Sequence, residues 1–407
     1  MQFVKNGEQV KHLFKQLYGS VTLSQVSRYN QLIKWFNDSF GGEGCYICSS
    51  SGRVELVGNH TDHNGGRVMG CTVNLDILAG FMPTDDNTVV IKSKGYKDIS
   101  FTLDEIDLKE VNSADMAKGV LKGFAERGYA IGGFKVCMTS TVAGGAGISS
   151  SAAYELLIGQ IVNNLYNEGK VTPEELAQIG QFSENVYFNK PCGLLDQSVI
   201  ALGGVVELDF KDGLQSKHVE CDMSKYNLVL VDTGGSHANL TEHYAAIPQE
   251  MKAVANYLGV NRLIEVDSSV FFAKYDEIVE KVGLRPALRA KHFYEENQRV
   301  DNAALSLEKG DWKKFIEIIN QSGQSSLTQL QNCSYPGGDT LIPDALELTS
   351  KLNPTGATRV HGGGFAGTIL NIVDRNLAEE FVSKLEEVYG KDKVFLLKVR
   401  SVGTMVL

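Results

Sequence analysis

The chain has 407 residues, 43% hydrophobic and 22% charged, with a formal net charge of −10, so it is long enough for about two globular domains on a ~150-residue prior and is neither disordered nor collagen-like. The acidic balance and the lack of a dense Lys/Arg block exclude a general nucleic-acid or acidic-membrane binder, which needs a basic face. No stretch approaches the ~18 apolar residues of a membrane span, and the N-terminus, MQFVKNGEQVKHLF, lacks a signal-peptide pattern.

Along the chain, Val10, Leu13, Phe14 and Leu17, then Tyr29, Leu32, Ile33 and Phe36, recur at helical spacing and predict helix over 8–37. A loop at 39–44 precedes strands at 45–57 and 89–94. Cys45 and Cys48 form a CxxC pair, but a zinc site wants a second pair, so two small residues in a buried strand are expected. The seven scattered cysteines point to a reduced, cytoplasmic protein. A helix is expected over 116–127, a strand through Phe134, Val136 and Met138, and a helix carrying Leu157, Ile161 and Leu165. Thr172-Pro173-Glu174-Glu175 combines a cap, a first-turn proline and a capping-box glutamate, so a helix should run from there to about Tyr187. Strands at 205–210 and 228–232 follow. Amphipathic helices are expected around 244–258, 269–282, 287–308 and 312–320, then strands near 368–373 and 394–398. Mixed elements in both halves predict an α/β or α+β chain in two domains, 1–215 (with a helical extension over 1–40) and 216–407.

Four segments carry the chemistry. In Gly144-Gly145-Ala146-Gly147-Ile148-Ser149-Ser150-Ser151, glycines let backbone approach a ligand and serines open a helix. Free N–H groups and the positive dipole end there favour phosphate, and hydroxyls offer a hard ligand for Mg²⁺. It is not a Walker A loop, because no Gly-Lys-Ser/Thr follows. The second segment, Gly52-Arg53-Val54-Glu55-Leu56-Val57-Gly58-Asn59-His60-Thr61-Asp62-His63-Asn64-Gly65-Gly66, gathers donors and acceptors into a Gly-flanked turn suited to a polyhydroxylated ligand. His60, Asp62 and His63 also allow a metal reading. In the third, Lys190–Gln197, Asp196 stands near a helix start, as a cap or as a reacting carboxylate. Glu184 follows Leu176 and Gly180 on one helix face, which turns a carboxylate inward and demands a Mg²⁺ ion or an Arg as partner. The fourth, Thr358–Gly367, matches GxGxxG, but a strand follows where a dinucleotide fold needs a helix.

In order and spacing, these motifs resemble the GHMP kinase superfamily, and within it the galactokinase branch, from about residue 45 to the C-terminus. The resemblance implies ATP-dependent phosphorylation of a sugar, galactose first, at its anomeric hydroxyl. It implies an N-terminal domain like the second domain of ribosomal protein S5, a ferredoxin-like C-terminal domain, and an active site in the cleft between them. It makes Asp196 the base and Arg53 its electrostatic partner. Asn59, His60, Asp62, Gly193 and Tyr244 fall on sugar-side positions. Gly145, Ala146, Gly147, Ser149, Ser150 and Ser151 fall on the ATP-phosphate loop, with Ser151 and Glu184 as Mg²⁺ ligands. The implied partners are a small sugar and ATP, with no nucleic acid or membrane, in a monomer or weak homodimer. The chain departs from the usual motif by having Glu55 for Asn, Asn59 for Glu, His63 for Tyr and His361 for Thr, and in its longer N-terminus. Asn59 would tolerate a C6 carboxylate, with Arg67 or His63 to pair with it, so galacturonate kinase is the alternative. A non-catalytic sugar/ATP sensor is a third reading, against which stand the retained Arg53, Asp196, Glu184 and Ser151.

Overall fold

The computed structural model describes every residue except 110–112, 143, 145, 146, 188–191 and 236–239. The strands are β1 (Tyr46–Val57), β2 (Arg67–Pro83), β3 (Thr88–Ser93), β4 (Ile99–Thr102), β5 (Phe134–Ser140), β6 (Val205–Asp209), β7 (Gln215–His218), β8 (Tyr226–Asp232), β9 (Ala357–Val360), β10 (Thr368–Asp374), β11 (Val394–Leu397) and β12 (Met405–Val406). They form two sheets. The first runs β12-β1-β2-β5-β3-β4, with β6 also paired to β2 and β7 to β6; the second runs β11-β8-β10-β9. The chain crosses from one sheet to the other between His218 and Tyr226, so the sequence-based join at 215 falls at the start of β7. It then returns: Val399 bridges Val73, and β12 pairs with β1.

β2 escaped the sequence reading because it is buried along most of both faces, so its apolar residues do not alternate. It pairs with β1 over most of its length, with β6 near its start and with β5 near its end. The helices Ser150–Tyr166 and Leu195–Leu202 lie against this sheet, and Pro173–Phe182 packs on those two helices. The N-terminal extension covers its opposite face: Phe14, Tyr29, Leu32 and Phe36 pack on Ile47, Leu78 and Cys137. The extension is not one helix. A 3₁₀ turn (Gly7–Leu13) and a short helix (Phe14–Tyr18) end at Gly19, and a capping box between Thr22 and Gln25 starts the helix Leu23–Phe40. Beneath it the buried Asp76 carboxylate accepts hydrogen bonds from Arg28, Tyr18 and Ser49. Burial alone would raise the Asp76 pKa, but Arg28 and Arg400 outweigh it and lower it.

In the second sheet the alternation is clean. Leu228 and Leu230 face a core shared with the first sheet, while Val229 and Val231 face the helices Leu341–Leu352 and Ala378–Tyr389. The shared core includes Val300, Ala303, Phe315 and Ile319 of the helices Leu284–Glu308 and Trp312–Ser325. The two sheets are thereby fastened across their apolar faces, and the polar cleft lies at one end of that seam. All seven cysteines are free, with Cys45 and Cys48 buried at the start of β1 as expected; burial pushes the Cys45 thiol up to about 12. No helix among the described residues is long and apolar enough to cross a membrane.

Candidate active site

β1 carries two register shifts against β2, one between Ser51 and Arg53 and one between Glu55 and Val57. Bulges turn side chains out of the ladder's alternation, and these two bracket Arg53 and Glu55. At the first, only glycine leaves room: a Cβ on Gly52 would stand 2.8 Å from the Ile148 carbonyl oxygen. The backbone at Ile148 therefore passes directly over the strand, and the Arg53 N–H donates to that same carbonyl at 3.1 Å.

The Arg53 side chain reaches Asp196 as a fork, Nε to Oδ1 at 2.8 Å and Nη2 to Oδ2 at 3.0 Å, while Nη1 donates to the Gly147 carbonyl. Arg53 is buried, whereas the Asp196 carboxylate is 34% exposed, open toward the cleft. The Ser149 hydroxyl also donates to Asp196. Ser149, expected on the nucleotide side, thus turns its side chain onto the carboxylate instead. Its left-handed backbone, φ 60°, accompanies that turn just before the helix Ser150–Tyr166. Gly145 and Ala146 lie outside the described residues.

Arg53, Glu55, His60, Asp62, Asp196 and Tyr244 all line one cleft of ≈ 770 Å³. Gly193 is a close-approach glycine here: its Cβ would sit 2.0 Å from Asp62 Oδ2. Burial raises the Asp62 pKa, as does nearby Asp196, against the opposing effects of His60 and the His63 N–H. The His60 ring pairs with the Gly363 carbonyl at 3.0 Å, and the Tyr244 hydroxyl donates to the Gly364 carbonyl at 2.8 Å. His60 and Tyr244, expected on the sugar side, therefore both clasp the Gly-rich turn. Burial pushes the Tyr244 hydroxyl up to about 12.

Asn59 lines the same wall but is only 1% exposed. Its Nδ2 donates to Glu55 Oε1 (3.0 Å) and to the Gly362 carbonyl (2.7 Å), and its Oδ1 accepts from Asn332 Nδ2 (2.8 Å). Both amide protons are therefore committed inside the protein. The expectation that this amide meets a sugar carboxylate is corrected accordingly. Arg67 is also occupied, by Asp209 at 2.8 Å and Asp301 at 2.6 Å. The His63 ring is open to the cleft, and the surrounding protein and the nearby His60 and His292 push its pKa down.

Glu184 sits in a π turn (Ser183–Tyr187) that continues the helix Pro173–Phe182, and it is 4% exposed, on the inward face as expected. Such wide turns often mark functional positions. The contacts Gly159–Leu176 and Glu155–Gly180 set an antiparallel register between this helix and Ser150–Tyr166. The same register runs toward Ser151, at the start of one helix, and toward Glu184, just past the end of the other. Their hydroxyl and carboxylate oxygens are the donor chemistry Mg²⁺ prefers.

The sequence reading missed the support behind this wall. His292 and Glu296, one turn apart on the helix Leu284–Glu308, grip the sugar-signature turn. His292 Nε2 bonds the Asn59 carbonyl at 2.9 Å, and Glu296 Oε1 accepts from the Gly58 N–H at 3.0 Å and the Ser322 hydroxyl. Burial pulls the His292 pKa down to about 4. Burial alone would raise that of Glu296, but His292, Arg299 and Arg359 outweigh it and hold it well below the carboxylate range. Arg359, fully buried, donates to Glu55 Oε1 at 3.0 Å. A polar i, i+4 pair amid the apolar face of a helix was the one available signal.

The two sheets and their helices have the fold of a GHMP kinase. The GHMP kinases N terminal domain matches residues 115–204, and a mevalonate kinase from Methanococcus jannaschii shares the fold (TM-score 0.62, 16% identity, 87% of this chain and 98% of that one). The galactokinase galactose-binding signature matches residues 34–83. A galactokinase from Clostridium acetobutylicum is 30% identical over 374 residues, 88% of this chain and 93% of that protein. The structure of Lactococcus lactis galactokinase complexed with galactose superposes with TM-score 0.81 at 25% identity, covering 93% of this chain and 99% of that one. The chain belongs to the galactokinase family of sugar kinases.

Proposed function

We propose that the protein transfers the γ-phosphoryl group of ATP to the anomeric hydroxyl of galactose, giving galactose 1-phosphate and ADP. The observation that carries this reading is the Arg53–Asp196 fork, placed between the sugar-signature strand and the phosphate loop and open to the cleft. Asp196 takes the proton of the anomeric hydroxyl as that oxygen forms its bond to the γ-phosphorus and the bond to the β–γ bridging oxygen breaks. Arg53 holds the carboxylate in place, and Ser149 donates to it from the loop side. His60, Asp62 and Tyr244 orient the sugar, with donors and acceptors mixed as a polyol requires. Ser151 and Glu184 would hold Mg²⁺, which when bound neutralises charge on the phosphates. The buried free thiols agree with a cytoplasmic setting.

A kinase for galacturonate draws no support from this cleft. Asn59 has no amide proton to offer and Arg67 is doubly paired. The test is a panel of free sugars with Mg·ATP, read by ADP release. Galactose should give the highest kcat/KM; stronger turnover of galacturonate would overturn the reading.

A further inference from the structure

The wall that holds Asn59 also contains a carboxylate the reaction so far leaves without a task. Glu55 lies between the second bulge of β1 and the cleft, and its side chain is more than nine-tenths buried. Both of its hydrogen bonds go to one oxygen: Oε1 accepts from Asn59 Nδ2 and from Arg359 Nη2, each at 3.0 Å. The other oxygen, Oε2, has no hydrogen-bond partner among the described residues, and Glu55 stands in the cleft lining. Oε2 is not one of the fully buried unpaired atoms, so it is open to the cleft and can accept from a bound molecule. Arg359 and Asn59 fix the other half of the group, so the free oxygen is held in one direction.

We propose that Glu55, and not residue 59, is the group that reads the sugar, accepting a hydrogen bond at Oε2 from a hydroxyl remote from the reacting one. The inference rests on the galactose 1-kinase reading and narrows its substrate class to neutral hexoses. A hydroxyl donates to this oxygen, whereas a carboxylate at the same place meets like charge in a poorly solvated wall. The chain thus keeps one carboxylate and one amide on this wall, with the carboxylate on the strand and the amide on the turn. The two touch, so they act as a unit.

The experiment measures kcat and KM for galactose, for the monodeoxygalactoses and for galacturonate, in the wild-type protein, Glu55→Gln and Glu55→Asp. Glu55→Gln keeps the shape and removes the charge; Glu55→Asp keeps the charge opposite Arg359 and withdraws the oxygen by one methylene. Both variants should raise the galactose KM about tenfold, with kcat within about threefold and the ATP KM unmoved, as loss of a ground-state contact does. One monodeoxy sugar that the wild type discriminates against should lose that penalty in Glu55→Asp, and the galactose-to-galacturonate ratio should narrow about tenfold in Glu55→Gln, whose amide can donate to a carboxylate. An unchanged galactose KM in Glu55→Asp, or deoxy-sugar discrimination that survives in it, overturns the proposal. Should Glu55→Gln fail to fold with Arg359 uncompensated, Glu55→Asp and the wild-type sugar panel still decide it: a wild type that accepts galacturonate as readily as galactose overturns it with no variant at all. A wild type that does not turn over galactose at all would instead defeat the galactose reading itself.

Discussion

At the scale of single residues, Asp196 and Asn59 carry separate expectations. Asp196→Asn keeps the size of the group and its place beside Arg53. It should leave ATP binding and the fold intact while lowering kcat on the order of 10²-fold or more, as loss of a general base does. Single-turnover rates together with nucleotide titration check this, and near-wild-type turnover would remove Asp196 from that role. Asn59→Glu sets a second carboxylate against Glu55 Oε1, 3.0 Å from the present Nδ2, and strips the Gly362 carbonyl of its donor. A destabilisation of roughly 1–3 kcal/mol is expected from the unmet buried groups alone. The double variant Asn59→Glu/Glu55→Asn should recover much of it, since contacting residues couple. Thermal unfolding of the two singles and the double reads the coupling; strictly additive losses would mean the two positions act independently.

At the scale of elements, the π turn at Ser183–Tyr187 bears on the metal. If Glu184 and Ser151 hold Mg²⁺, Glu184→Gln should shift the Mg²⁺ titration of activity to higher concentration with the galactose KM nearly constant. An unaltered titration would make Glu184 a structural group of its helix. Much of this level was legible in the sequence. The capped helix start at Thr172, the alternation of Phe134, Val136 and Met138 and the Gly/Ser helix entry all appear where the patterns put them, because each is a local signal. What escaped depends on distant chain. β2 is buried on both faces and shows no period, and the break at Gly19–Thr22 lies inside a continuous apolar stripe. The site behaves likewise. Arg53, Asp196 and Asp62 stand in compact motifs, whereas Glu55, Arg359, His292 and Glu296 gain their meaning only from partners more than two hundred residues away.

At the scale of the whole molecule, the seam between the domains makes stability depend on pH. His292 titrates near 4 when folded, below the usual histidine value, and Glu296 is held well below the carboxylate range. Both bind fewer protons folded than unfolded, so each contributes stability above its unfolded pKa and loses it as pH falls toward its folded one. The melting temperature should therefore fall as pH drops from about 6.5 to 4 on the histidine's account, and further below about 4.5 as the glutamate is protonated. His292→Gln should flatten the upper part of that slope. An equally steep profile in the variant would assign the acid sensitivity to other groups.

The return of the chain to pair β12 with β1 bears on how the fold is assembled. β12 pairs Val406 with Cys48 and Met405 with Ser49, the Leu407 N–H donates to the Ile47 carbonyl, and Leu407 is buried with the N-terminal helices. The sheet that bears Arg53 and Glu55 therefore joins strands more than three hundred residues apart in sequence. During synthesis the early strands emerge long before the segment that completes their edge. Until β12 has been made, the first sheet keeps an open edge at β1. Ribosome-bound chains stalled before β12 should therefore hold the first domain in a looser, more protease-sensitive state than chains stalled well beyond it.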